Sequence, residues 1–147
     1  LMGVFYLGFD QLERRQQASY VAHEGGDGEL VIPRGPDGHF RVAGRVNGQP
    51  VEFLIDTGAS SVTVSEAIAR AAGLEGGQSV TFQTANGTLP GRLLRNVPVQ
   101  AAHLGLAGTT VAVGLVGEDG GQALLGQAFL SRFDIQILQG EMRLTPR

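Results

Sequence analysis

An all-β fold, mainly strands with one or two short helices, follows from three features of this sequence. Apolar and β-branched residues fall into short alternating runs, as in residues 39–46 and 51–55. Asn47-Gly48 and Asn86-Gly87 punctuate such runs with the turn chemistry of tight hairpins, where positive φ must be tolerated. The 23 glycines among 147 residues, about twice the usual share and in no low-complexity run, imply many tight turns and therefore short strands. A chain of this length is expected to form one domain with a modest core.

Composition also excludes functions. A net charge of −3 and a pI near 5.5 give no electrostatic case for nucleic acid as a partner. Cysteine is absent, so neither a disulfide framework nor a thiolate metal site is available. His23, His39 and His103 lack ligand spacing and read as surface or strand residues; no metal and no cofactor is expected.

In chain order, residues 1–9 are apolar and then give way to the charged stretch 10–17. Nine residues are too few to cross a bilayer, which takes about 20. They fit equally a packed N-terminal segment or the tail of a membrane anchor followed by a juxtamembrane helix. Residues 24–28 read as a flexible, acidic, glycine-rich linker. The division expected is therefore an N-terminal segment over 1–29 and a folded domain over 30–147.

That domain opens with residues 30–33 as an edge strand, because Pro33 has no N–H for a ladder. Residues 39–46 and 51–55 then pair across Asn47-Gly48, and the hairpin carries Asp56 on its outgoing end. A strand that buries Phe53 and Ile55 ordinarily ends on some solvated polar residue. Asp56 differs because Thr57, Gly58 and Ala59 after it are small, so a second backbone can approach and N–H groups can point at the carboxylate.

Residues 60–64 suit another short strand. Ser65 is an N-cap for a helix over 66–72 that Gly73 ends, with Ile68, Ala72 and Leu74 turned to the sheet. Residues 79–84 form a strand leading into an Asn86-Gly87 turn, with Leu89, Leu93 and Leu94 on the return. Residues 97–101 and 109–116 are two more strands about a turn at 105–108. Glu118 and Asp119 belong to a solvated loop rather than a metal site, since no partnering ligands lie nearby. A helix over 127–133 buries Phe129, Leu130 and Phe133, and two strands about Gln139-Gly140 close the chain.

Two of these stretches carry a resemblance. Leu54-Ile55-Asp56-Thr57-Gly58-Ala59-Ser60, followed seventy residues later by Leu124-Leu125-Gly126 and a helix, resembles the aspartic proteases. The likeness is greatest to the retroviral type, the retropepsins, which carry one Asp-Thr-Gly per chain. It spans roughly residues 30–147.

The resemblance implies an acid-protease fold with one lobe per chain and an active site completed by a homodimer, one Asp56 from each subunit. Two carboxylates would share a proton and activate a water against the peptide bond of an extended polypeptide, without a cofactor. Thr57 would hold the catalytic loop by its hydroxyl, with Gly58 and Ala59 supporting it. The hairpin tip Ala85, Asn86 and Gly87, otherwise an ordinary surface hairpin, would be the flap that covers substrate. Leu124, Leu125 and Gly126 would support the cleft, Gly126 by admitting a close backbone.

Within the family the chain looks closest to a bacterial, membrane-anchored group. That favours an anchor at or before residues 1–9, in the bacterial inner membrane with the protease domain periplasmic. Viral enzymes brace this region with an acidic residue after the Ala and an Arg after the later Gly. Here Ser60 and Gln127 stand in both places, so the charge pair is lost as a unit. An aspartic endopeptidase is the leading reading, and a non-catalytic dimerisation or peptide-binding module that keeps only the fold is the alternative.

Overall fold

The computed structural model describes residues 22–114 and 122–147. Its strands in chain order are β1 (His23–Glu24), β2 (Leu30–Pro33), β3 (Arg41–Val46), β4 (Gln49–Ile55) and β5 (Val62–Val64). After them come β6 (Gln78–Thr84), β7 (Gly87–Ala101), β8 (Leu104–Val113), β9 (Gln122–Leu125), β10 (Phe133–Leu138) and β11 (Glu141–Pro146). Two short helices, α1 (Glu66–Ala71) and α2 (Gln127–Leu130), interrupt them. The fold is mainly β, as the sequence implies.

Strands β3-β4-β9-β5-β8-β7 run side by side, and the end of β7 pairs back onto β3 through Gly44↔Ala101, Arg45↔Gln100 and Val46↔Val99. This closes a barrel and removes its edges. Closure needs Gly44, because a β-carbon there would stand 2.7 Å from the Phe53 ring and nearer still to the Gln100 carbonyl. Strand β6 is attached outside the ring as the partner of β7. A second, antiparallel sheet in the order β1-β2-β11-β10 lies beside the barrel.

Local chemistry accounts for these elements. Asn47 (φ 49°) and Gly48 (φ 85°) form the expected two-residue turn between β3 and β4, and Gln139 (φ 53°) and Gly140 (φ 76°) repeat it between β10 and β11. Ser65 Oγ accepts from the Ile68 N–H at 3.1 Å, and Gly73 leaves α1 at φ 72°, so both predicted caps form. Phe53, Leu125, Phe129, Leu130, Val62 and Val64 are wholly buried at the centre, where the Phe129 and Phe133 rings lie 5.0 Å apart.

Several details differ from the sequence reading. Strand β2 is not an edge: it lies between β1 and β11, and Pro33 sits past the end of two-residue β1, where no ladder N–H is needed. Residues 24–28 are not a free linker. Glu24 pairs with Leu30, the Gly25 N–H donates to the Glu29 carbonyl at 2.9 Å, and a 3-10 turn follows over Gly26–Gly28.

Strand β7 runs unbroken through Pro90, which lies past the end of its ladder with β8, and through Pro98, where register shifts between Leu94 and Val99, beside Asn96 at φ 60°, interrupt that ladder. The turn into β8 falls at Ala102-His103, so residues 105–108 lie within a strand. Helix α2 stops at Leu130 because Phe133 pairs with Pro146 in the second sheet. The segment over residues 1–21 and the Glu118-Asp119 loop lie outside the described residues.

Candidate active site

Strand β9 is inserted between β4, to which it is parallel, and β5, which it meets antiparallel at Thr63↔Leu124. Residues 56–61, which join β4 to β5, must therefore arch over the end of β9. Asp56 begins the arch. Its N–H donates to the Leu125 carbonyl at 3.1 Å, so its backbone continues the sheet while its side chain leaves the core half-buried. The Gly58 N–H donates to Asp56 Oδ1 at 2.9 Å, and the Ala59 N–H returns to the Asp56 carbonyl at 3.1 Å. The carboxylate is thus held by its own loop, which works because Thr57, Gly58 and Ala59 put no bulk in the way.

The arch is held from below. Gly126 passes so close that a β-carbon on it would stand 2.7 Å from the Ala59 carbonyl oxygen and nearer still to that of Ser61. Immediately after it, the Gln127 N–H donates to the Ala59 carbonyl at 2.8 Å and the Ala128 N–H to the Ser60 carbonyl at 2.7 Å. The Gln127 side chain adds Nε2 to the Thr57 carbonyl at 2.9 Å. The Thr57 hydroxyl, expected to hold the loop, makes no hydrogen bond among the described residues, and Thr57 is exposed. Within one chain the holding group is the Gln127 amide.

Asp56, Thr57, Gly58 and Ala59 therefore share one assembly with Leu124, Leu125 and Gly126. Leu125 is fully buried beneath the loop, whereas Leu124, level with Leu54 across the β4–β9 pair, is only half-buried.

The hairpin β6–β7 stands apart. Its two-residue turn is Ala85-Asn86, one position earlier than the Asn86-Gly87 pairing expected, because Gly87 (φ 116°) already pairs with Thr84 as the first residue of β7. Thr84 Oγ1 fixes the tip by donating to the Gly87 carbonyl at 2.9 Å and accepting from the Asn86 N–H at 3.2 Å. No hydrogen bond joins this tip to the Asp56 loop among the described residues.

At the hairpin's base, Arg92 faces four acceptors. It reaches Glu66 Oε2 at 2.9 Å and Oε1 at 3.4 Å, the Gly76 carbonyl at 2.7 Å and the Leu74 carbonyl at 3.3 Å. Sequence reasoning missed this anchor, because nothing in the spacing of Glu66 and Arg92 pairs them.

A partly exposed Asp in a Thr-Gly-Ala arch, clamped over a glycine that follows two leucines, is the arrangement of an aspartic-protease-type barrel. Comparison with known proteins agrees. Residues 42–132 match the family described as "gag-polyprotein putative aspartyl protease". The crystal structure of a retropepsin-like aspartic protease from Rickettsia conorii superposes with a TM-score of 0.67 at 30% identity, over 80% of this chain and 89% of that one.

Two uncharacterized proteins are also similar. One, in the cobV 5′ region of Sinorhizobium sp, is 30% identical over 137 residues, which is 87% of this chain and 56% of the relative. The other, from Rickettsia prowazekii (strain Madrid E), is 32% identical over 111 residues, covering 72% and 46%. The chain thus spans about half the length of these curated relatives. It belongs to the retropepsin-like aspartic protease family.

Proposed function

We propose that this protein is an aspartic endopeptidase whose active site forms when two chains bring their Asp56 carboxylates together over an extended polypeptide. The observation that carries the reading is the Asp56 arch. A half-exposed carboxylate is held by the Gly58 N–H and backed by three donors from Gln127 and Ala128, so it stands fixed at the surface. The chain has one Asp-Thr-Gly, and a single carboxylate cannot be both acid and base in the same step.

With two, like charges held a few Å apart share one proton. The ionised Asp56 takes a proton from a water as its oxygen attacks the scissile carbonyl carbon. The protonated Asp56 of the other subunit gives its proton to the carbonyl oxygen, and a tetrahedral diol results. Collapse of the diol breaks the C–N bond as the amine nitrogen takes up a proton, leaving a carboxyl and an amine product. The β6–β7 hairpin, with Ala85, Asn86 and Gly87 at its tip, covers the peptide in this reading.

Strand β10 suits the dimer. Among the described residues it is the free edge of the second sheet, and Ile137 and Leu138 on it are 48% and 56% exposed, uncommon for large apolar side chains. A register centred on Gln136 would place Ile135 of each chain opposite Ile137 of the other, on the same face. The family resemblance adds an N-terminal tether in a bacterial inner membrane with the domain on the periplasmic side, which would raise the local concentration of chains. No helix among the described residues is long and apolar enough to cross a membrane, so such a tether would lie outside them.

The test is cleavage of a mixed peptide library from acidic to neutral pH, with wild type and Asp56→Asn side by side at high protein concentration. Cuts made by wild type alone are expected. Cuts by both would remove Asp56 from the reaction, and cuts by neither, with both folded, would favour the non-catalytic peptide-binding or dimerisation module.

A further inference from the structure

We infer that Gln127 is a positioning residue for Asp56, acting through the single peptide group that joins Thr57 to Gly58. The inference rests on the reaction proposed at Asp56. Gln127 opens α2, seventy residues from Thr57, and its Nε2 donates to the Thr57 carbonyl at 2.9 Å. The N–H at the other end of that same peptide unit, on Gly58, donates to Asp56 Oδ1 at 2.9 Å. A peptide group is planar and rigid, so its C=O and N–H turn together. Rotation that lets the carbonyl leave Gln127 also swings the N–H away from the carboxylate. The amide of Gln127 and the carboxylate of Asp56 thus grip one plate from opposite ends.

Polarisation adds to the geometry. A donor on a peptide carbonyl strengthens the N–H of the same group as a donor, as in any chain of hydrogen bonds. Gln127 therefore orients Asp56 Oδ1 and strengthens its hydrogen bond without touching it. The same residue's backbone N–H, bound to the Ala59 carbonyl at 2.8 Å, fixes where the side chain starts. A Cβ-free Gly126 before it lets α2 come close enough for the side chain to reach.

The departure from the viral pattern noted in the sequence acquires a function here. An acid–arginine brace depends on the carboxylate staying ionised, whereas an amide donor is neutral at every pH at which two carboxylates share a proton. The loop keeps its support whatever the protonation state of the carboxylates.

Three variants separate positioning from general support. Gln127→Met keeps the length and removes the donor. Gln127→Glu keeps the shape and, where it is ionised, offers only acceptors; once protonated it can donate again. Gln127→Lys supplies donors again. On the peptide substrates cut by wild type, Met is expected to lower kcat about tenfold at every pH, the equivalent of one lost hydrogen bond, with KM little changed; Glu should do so only where it is ionised, and Lys should recover part of the loss.

A second readout does not need cleavage. At neutral pH the Gly58 amide proton in the NMR spectrum is expected to shift upfield in Gln127→Met and Gln127→Glu and to return toward the wild-type position in Gln127→Lys. Equal kcat in all four proteins, or a Gly58 resonance that ignores residue 127, would overturn the role. If wild type cuts nothing at any pH, the proposed reaction fails, and the Gly58 resonance alone decides whether Gln127 holds this peptide.

Discussion

Gly126 lies so close beneath Ala59 that a β-carbon on it would stand 2.7 Å from the Ala59 carbonyl oxygen. Both the Ala59 and the Ser61 carbonyls are main chain in a loop that spans two sheet strands, and neither can step aside like the end of a long side chain. Gly126→Ala is expected to destabilise the fold by about 2 kcal/mol or more, as overpacking of a closed site does. Urea denaturation reads this as a lower midpoint at unchanged m-value. A midpoint equal to that of wild type would mean that the loop rises freely off β9.

Arg92 holds the base of the β6–β7 hairpin with a full set of acceptors, and its side chain is 23% exposed. Arg92→Met leaves the Gly76 and Leu74 carbonyls and the Glu66 carboxylate without their partner. A loss of about 1–3 kcal/mol is expected, with slower peptide cleavage if the hairpin covers substrate. Glu66→Gln still offers one acceptor and is expected to cost under about 1 kcal/mol. Equal effects of the two in urea denaturation would place the anchor in the ion pair and not in the carbonyl contacts.

Asp37 gives a pH signature away from the site. The His39 N–H donates to Asp37 Oδ1 at 3.1 Å and Arg41 pairs with Oδ2 at 2.7 Å; the first of these is the larger cause that holds the carboxyl below its ordinary 3.8. A depressed folded value means that the stabilisation is present above the ordinary carboxylate range and is lost as pH falls through the folded value. Thermal unfolding of wild type and Asp37→Asn should therefore differ slightly at neutral pH and converge in strong acid. A gap that persists unchanged into acid would contradict the assignment.

Ile137→Glu places a charge on the exposed edge of β10, at a position that faces the partner's Ile135 in the proposed register. It is expected to shift the protein to monomer in sedimentation and to abolish cleavage in dilute solution, while the barrel, which this residue does not help to build, keeps its unfolding midpoint. Unchanged mass and activity would exclude β10 as the dimer edge.

Much of this was legible in the sequence where local chemistry decides. Asn47-Gly48 had to be a positive-φ turn, Ser65 and Gly73 had to cap α1, and Asp56-Thr57-Gly58 with Leu124-Leu125-Gly126 carried the family. What escaped depended on tertiary placement. Pro33 reads as an edge signal, yet a two-residue neighbour strand leaves room for it inside a sheet. The bulge at Asn96 lets one strand run where two were expected, and residues 105–108 lie within β8 despite two glycines. Gln127 stood out only as the absence of an arginine. That its amide reaches the Thr57 carbonyl is a fact of three dimensions.

Mixing wild type with Asp56→Asn at constant total concentration, with subunits exchanging freely, tests the shared site most directly. If each site takes one Asp56 from each of two chains, only pairs of wild-type chains cut. Activity then follows the square of the wild-type fraction, about one quarter at an equal mixture. A straight-line fall, to about one half at the same point, would mean that each chain works with its own Asp56 alone and would contradict the shared dyad.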